Sequence, residues 1–193
     1  MRTRYRALVF VLALAAAPAF AAVDVAGVKF EDKLKLGGSE LTLNGAGLRS
    51  KVFFKVYAIG LYLPEKKSGA EDVLGTRGPR RIRIVTLRDV TAQQFADALI
   101  DSLRQNNSEA ELAAISAAVD AFKSTLLSLK TAPKGTDIAI DYRPVSGTQL
   151  LMNGQPKDSA ILGEDFYRAL LKVWLGGNPV QGDLKDALLG KSG

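Results

Sequence analysis

The stretch from Val52 to Leu63, Val-Phe-Phe-Lys-Val-Tyr-Ala-Ile-Gly-Leu-Tyr-Leu, constrains the fold of this chain most. Its aromatic and branched side chains suit a pleated surface, and Pro64, which has no amide hydrogen to donate, closes the run. It reads as one long strand. Upstream, Val23 to Phe30 and Glu40 to Asn44 alternate apolar with polar residues on either side of Gly37-Gly38, the pattern of a hairpin or strand pair. Asn44-Gly45-Ala46-Gly47 predicts a turn between that pair and the long strand. Downstream come a short helix around Ala70 to Leu74 and a strand from Arg81 to Leu87.

Two helices follow, each announced by a capping box, in which a hydroxyl accepts from the first-turn backbone while a side chain three residues on reaches back. Thr91 with Gln94 opens the first and Ser108 with Glu111 the second. Phe95, Leu99 and Leu103, with Ala98 beside them, share one face of the first. Leu112, Ile115, Val119 and Phe122 share one face of the second at a period of about 3.6. Strands over Thr136 to Tyr142 and Thr148 to Asn153 flank Pro144 and Gly147 as a hairpin. A helix from about Gly163 to Leu175, stopped by Gly176-Gly177, and a short helix from Asp183 to Leu189, stopped by Gly190, end the chain. Strands in runs with helices grouped after them predict an α+β domain, a mainly antiparallel sheet with helices layered on one side. Strict βαβ alternation, a GxGxxG turn and a P-loop are all absent, which argues against a doubly wound nucleotide binder.

Residues 1–21 have the make-up of an export signal: Arg2, Arg4 and Arg6, then an apolar run from Ala7 to Ala17, then the small-residue triplet Ala19-Phe20-Ala21. The run falls short of the ~20 apolar residues that a spanning helix needs. Cleavage after Ala21 therefore leaves residues 22–193 as one domain, periplasmic or secreted, with no transmembrane segment. The chain has neither Cys nor His, so thiol chemistry, Cys-based metal sites and the commonest general base at neutral pH are excluded, and no metal or other cofactor is expected. Three of the 26 basic side chains lie in the leader, so the net charge falls from +6 to +3 on its removal, too little to point to nucleic acid. Arg77, Arg80, Arg81, Arg83 and Arg88 form the one dense basic cluster, which reads as a solvated sheet face or as a patch for an anionic partner.

Two segments resemble the chalcone isomerase-like family. Gly45-Ala46-Gly47-Leu48-Arg49 followed by Lys55-Val56-Tyr57-Ala58-Ile59-Gly60-Leu61-Tyr62-Leu63 is similar to the family's paired G-x-G-x-R turn and A-I-G-x-Y-L strand. Phe166 to Gly176, with Asn178-Pro179-Val180 and Leu184 to Gly190, resembles the C-terminal end of the bacterial chalcone isomerase-like proteins. The resemblance implies an open-faced β-sandwich, an antiparallel sheet with helices packed on one face and a ligand cleft between.

In the family's enzymes, a cofactor-free ring closure of a chalcone is helped by an Arg that matches Arg49. Their Thr before A-I-G falls on Tyr57, their helix Tyr on Phe95, their Asn on Ser102 and their C-terminal Ser or Thr on Val173. In the fatty-acid-binding branch, an Arg and a Tyr hold the ligand's carboxylate, and these match Arg49 and Tyr57. The resemblance thus implies a non-catalytic binder of a small amphipathic carboxylate, a guanidinium and a phenol being suited to that group. A cofactor-free isomerase or lyase acting on an enone-like substrate is the alternative, as is a structural protein whose cleft is filled. Eight residues of straight strand span roughly 26 Å. Arg49 and Tyr57 therefore meet only if the chain folds back or bulges between them; Tyr62 is the alternative partner. Trp174 is expected in the core.

Overall fold

The computed structural model describes residues 22–191; the expected leader and its cleavage site at Ala21 fall at or outside that boundary. In chain order the strands and helices are β1 (Ala22–Val25), β2 (Val28–Glu31), β3 (Lys33–Leu36), β4 (Ser39–Lys51), β5 (Phe54–Leu63), α1 (Ala70–Leu74), β6 (Arg80–Thr86), β7 (Val90–Thr91), α2 (Ala92–Asn106), α3 (Glu109–Ala114), α4 (Ser116–Ser128), β8 (Thr131–Ala132), β9 (Asp137–Arg143), β10 (Gly147–Met152), β11 (Gln155–Ile161), α5 (Asp165–Leu175) and α6 (Gly182–Leu188). Seven strands form one antiparallel sheet in the order β11-β10-β9-β6-β5-β4-β3. This is the α+β open-faced sandwich expected from the sequence.

Period-two alternation in β5 sends its side chains into two separate cores. Tyr57, Ile59, Leu61 and Leu63 face the helices and pack with Leu99, Leu103, Phe166, Leu170 and Trp174. Ala58 and Tyr62 face the other way, into a smaller cluster with Phe30, Leu36, Leu41 and Leu43 that the β1–β2 hairpin covers. Residue 60 lies on that second face as well, and it is a glycine because a β-carbon there would meet the Phe30 ring at 2.6 Å.

The structure corrects several local expectations. Val23 to Phe30 is two strands, β1 and β2, joined through Ala26-Gly27, both with positive φ. Asn44 to Gly47 is no turn: these residues continue β4, with a bulge between Leu43 and Gly45. The two glycines serve packing instead, since a β-carbon on Gly45 would stand 2.1 Å from the Ala187 carbonyl oxygen and one on Gly47 would stand 2.7 Å from the Leu184 side chain. Helix α6 therefore rests directly on the β4 backbone, and the bulged, buried Asn44 secures it by donating to the Leu188 carbonyl at 2.7 Å. The turn comes later: β5 begins at Phe54, and Val52-Phe53 joins it to β4. The second capped helix breaks at Ile115 (φ −112°, ψ 10°) into an exposed α3 and a docked α4, although both capping boxes form as read. Strand β11, poor in apolar residues, was not foreseen.

The arginine cluster is not a solvated face. Arg80 is fully buried, its guanidinium over the rings of Tyr142 and Tyr167 and paired with Glu164 at 2.5 Å. Arg81 grips both carboxylate oxygens of buried Asp141, and Arg83 pairs with Asp137. These pairs join β6 to β9, because Arg81 sits opposite Asp141 in the register. Arg77 and Arg88 do remain exposed.

Replacing Gly45 with Ala forces α6 off β4 and is expected to destabilise the protein by about 1–3 kcal/mol. Gly177→Ala, where a β-carbon meets nothing within 4 Å, is expected to change stability by less than about 0.5 kcal/mol. Equilibrium urea unfolding of both variants measures the difference, and equal midpoints would contradict this packing.

Candidate functional site

The two-residue turn at Val52-Phe53 folds β5 back along β4, and the register sets Arg49 directly opposite Tyr57. Directly opposite residues share a face, with β-carbons about 5 Å apart. The separation that a straight strand would impose is thereby removed. Residues 45, 47 and 49 also share a face, so the strand that gives α6 its two glycine notches carries Arg49 beside that helix.

Gln181, at the N-cap position of α6, does not cap the helix with its side chain and instead fixes Arg49. Its Oε1 accepts from Arg49 Nη1 at 3.2 Å and from the Ser50 amide at 2.9 Å, while its Nε2 donates to the Leu48 carbonyl at 3.1 Å. Arg49 Nη1 also donates to the Ser50 carbonyl. With Nη1 so engaged, Nε and Nη2 make no hydrogen bond of ordinary geometry among the described residues, and the guanidinium lies near enough to the Tyr57 phenol oxygen to lower its pKa. That leaves the Nε–Nη2 edge, whose two parallel N–H groups match the two oxygens of a carboxylate, free to bind.

Tyr57 is buried, and its phenol oxygen accepts a 2.9 Å hydrogen bond from Trp174 Nε1 on α5. The lone pair being used this way, the hydroxyl hydrogen has no acceptor among the described residues and can be donated to a ligand. Burial raises the Tyr57 pKa, with the Trp174 hydrogen bond and the Arg49 charge drawing it partly back, so the phenol keeps its proton at neutral pH. Trp174 is in the core as expected, with this second duty.

Arg49 and Tyr57 stand on the wall of a cleft of about 660 Å³ between the β4–β5 hairpin, α2 and α5. Its apolar lining includes Val56, Val90, Phe95, Leu99, Val173 and Val180. Its lining also carries the charged side chains of Lys51, Arg88, Asp89, Asp97 and Asp101. Phe95 and Val173 thus face the cleft, whereas Ser102 is buried in α2 and does not line it. Tyr62 is not brought to this site: it points to the opposite face of the sheet, among Phe30, Leu41 and Leu43. Gln181 escaped the sequence reading because its link to Arg49 spans 132 residues and leaves no local motif. Among the described residues no cluster of acidic side chains has metal-binding geometry.

All four described tyrosines have raised pKa values with burial as the leading cause, Tyr62 to about 12. The unfolded chain releases phenol protons near pH 10 while the folded one retains them. The stability these groups contribute is therefore complete below about pH 10 and is lost as pH rises toward 12. In the chain beginning at Ala22, tyrosinate absorbance is expected to appear together with loss of circular dichroism. Independent titration near pH 10 with the fold intact would contradict the burial.

Comparison with known proteins agrees with this architecture. A family described as chalcone isomerase-like matches residues 22–190. No curated protein sequence matches the chain. Among solved structures, a fatty-acid binding protein of Arabidopsis thaliana superposes with a TM-score of 0.65 at 17% identity, covering 88% of this chain and 96% of that one. Identity that low speaks for the shared fold, and the family match extends over nearly every described residue. From the glycine-notched strand to the C-terminal helix that rests on it, the chain belongs to the chalcone isomerase-like family.

Proposed function

We propose that the protein is a non-catalytic binder of a small amphipathic carboxylate such as a fatty acid, exported to the periplasm or beyond by its N-terminal leader. One observation carries the reading: the Nε–Nη2 edge of Arg49 and the donatable Tyr57 hydroxyl lie opposite each other on the wall of a cleft that also presents Val56, Phe95, Leu99 and Val173. Three donors then converge on the acid group, and the lining accepts the tail. The site is organised before any ligand arrives, because Gln181 holds the guanidinium and Trp174 the phenol, so little ordering cost is left for binding. The Arabidopsis protein of similar fold is itself a fatty-acid binding protein, which supports the same reading.

The isomerase alternative draws on Tyr57 as a proton donor beside Arg49. Two features count against it. The raised pKa makes Tyr57 a weaker acid, and the resemblance puts hydroxyl-bearing residues of the enzymes where Phe95 and Val173 here present hydrocarbon to the cleft. Positioned acid–base groups commonly contribute a factor of 10² or more each to rate. The filled-cleft alternative conflicts with an open volume large enough for a ligand.

Mass spectrometry of lipid extracted from the purified protein is expected to show a bound fatty acid. After delipidation, Arg49→Ala is expected to weaken fatty-acid affinity about 10- to 100-fold, the loss of a charged hydrogen-bonding partner. Arg49→Lys is expected to recover only part of it, since an ammonium keeps the charge without the paired donors. A delipidated wild type that takes up no fatty acid would overturn the reading, and chalcone cyclisation above the spontaneous rate would favour the enzyme.

A further inference from the structure

We propose that the tip of the β4–β5 hairpin, Val52-Phe53-Phe54, inserts into an anionic lipid surface and seats the mouth of the cleft against it. The three residues are 79%, 94% and 61% exposed, and they follow one another without a polar break. Consecutive exposed apolar residues of this size oppose solubility unless they meet a partner. The local conformation makes their presence more telling. Val52 has φ 57°, a left-handed value that glycine or asparagine adopts easily and a β-branched residue does not. Turn chemistry alone would have selected a different residue.

Charge identifies the partner. Lys51 and Lys55 flank the tip, and the Arg88 guanidinium lies 5.2 Å from the centre of the Phe54 ring. All three are exposed and enter no ion pair among the described residues. One oxygen of the neighbouring Asp89 carboxylate accepts the Lys134 amide at 2.8 Å, and Asp97 and Asp101 lie on α2 along the cleft rather than in the tip. An apolar wedge ringed by cations matches a membrane interface, where aromatic side chains settle at headgroup depth and basic ones meet anionic phosphates. Two rival occupants fit less well. A second copy meeting tip to tip would press the two cationic rings together, and three protruding side chains offer far less than the roughly 800 Å² that each partner contributes to a standard protein interface.

The tip also adjoins the cleft: Lys51, Val52, Phe54 and Arg88 belong to its lining, so an acyl chain leaving the lipid would pass along apolar surface. Phe53 lies outside that lining and can be changed without touching the site. Docking does not rest on the carboxylate reading, since the tip meets lipid whether the cleft is empty or filled.

Co-sedimentation of the chain beginning at Ala22 with phosphatidylcholine vesicles, with and without phosphatidylglycerol, tests the proposal. The wild type is expected to pellet with phosphatidylglycerol vesicles and to be released by salt. Phe53→Ser is expected to weaken this partition about tenfold or more while leaving fatty-acid affinity unchanged. The double variant Lys51→Glu, Lys55→Glu is expected to abolish the preference for anionic vesicles. Arg49→Ala is expected to bind vesicles like the wild type even where it binds fatty acid poorly, which separates the two readings. The proposal is overturned if the folded wild type stays in the supernatant, if Phe53→Ser pellets equally well, or if sedimentation velocity shows a dimer that Phe53→Ser dissolves.

Discussion

Helix α6 sits so close to β4 that Gly45 has no room for a methyl group, and the candidate site depends on that contact. The bulge at Asn44 sets residues 45, 47 and 49 on the helix-facing side of the strand, and Asn44 itself ties down the end of α6 through the Leu188 carbonyl. With the helix seated, its N-cap residue Gln181 comes within reach of Leu48, Ser50 and Arg49. A long, flexible cation on a strand is thereby turned into a fixed group with one occupied edge and one free edge. The family's G-x-G-x-R pattern has a physical meaning in this protein: two notches for a helix, then the side chain that the helix restrains.

The two faces of the sheet are packed differently. Toward β1 and β2, Gly60 admits the Phe30 ring and Tyr62 is enclosed. Toward the helices, β5 contributes Tyr57 at the end where β4, α2 and α5 diverge, and the cleft opens there. Farther across the sheet, Arg81 and Arg83 of β6 pair with Asp141 and Asp137 of β9. Arg80 is buried over two adjacent tyrosine rings and paired with Glu164, while its Nε and Nη1 have no hydrogen-bond partner among the described residues.

The hairpin tip is the place where local rules and global structure disagree. A β-branched residue at positive φ and two exposed phenylalanines conflict with turn propensity and with solubility together. Such conflicts concentrate where a protein meets something else. Here the tip borders the cleft and carries its own ring of cations, so the site and its approach share one short segment of chain.

Periodicity, capping boxes and the grouping of strands before helices determined the α+β class, and most elements lie close to where their residue patterns place them, since those signals act within a few residues. Those patterns did not single out Arg49 and Tyr57, which stood out only through the family resemblance. Local signals misread Asn44 to Gly47, because a glycine needed for a turn and a glycine needed for a helix to approach look alike in one dimension. Tertiary structure alone decided that β5 folds back at Val52-Phe53 to set Tyr57 across from Arg49, that Tyr62 belongs to the other face, and that Gln181 and Trp174 orient the pair. The Gln181–Arg49 and Trp174–Tyr57 hydrogen bonds join residues more than a hundred positions apart, and only the packing of α5 and α6 onto the sheet brings them within reach.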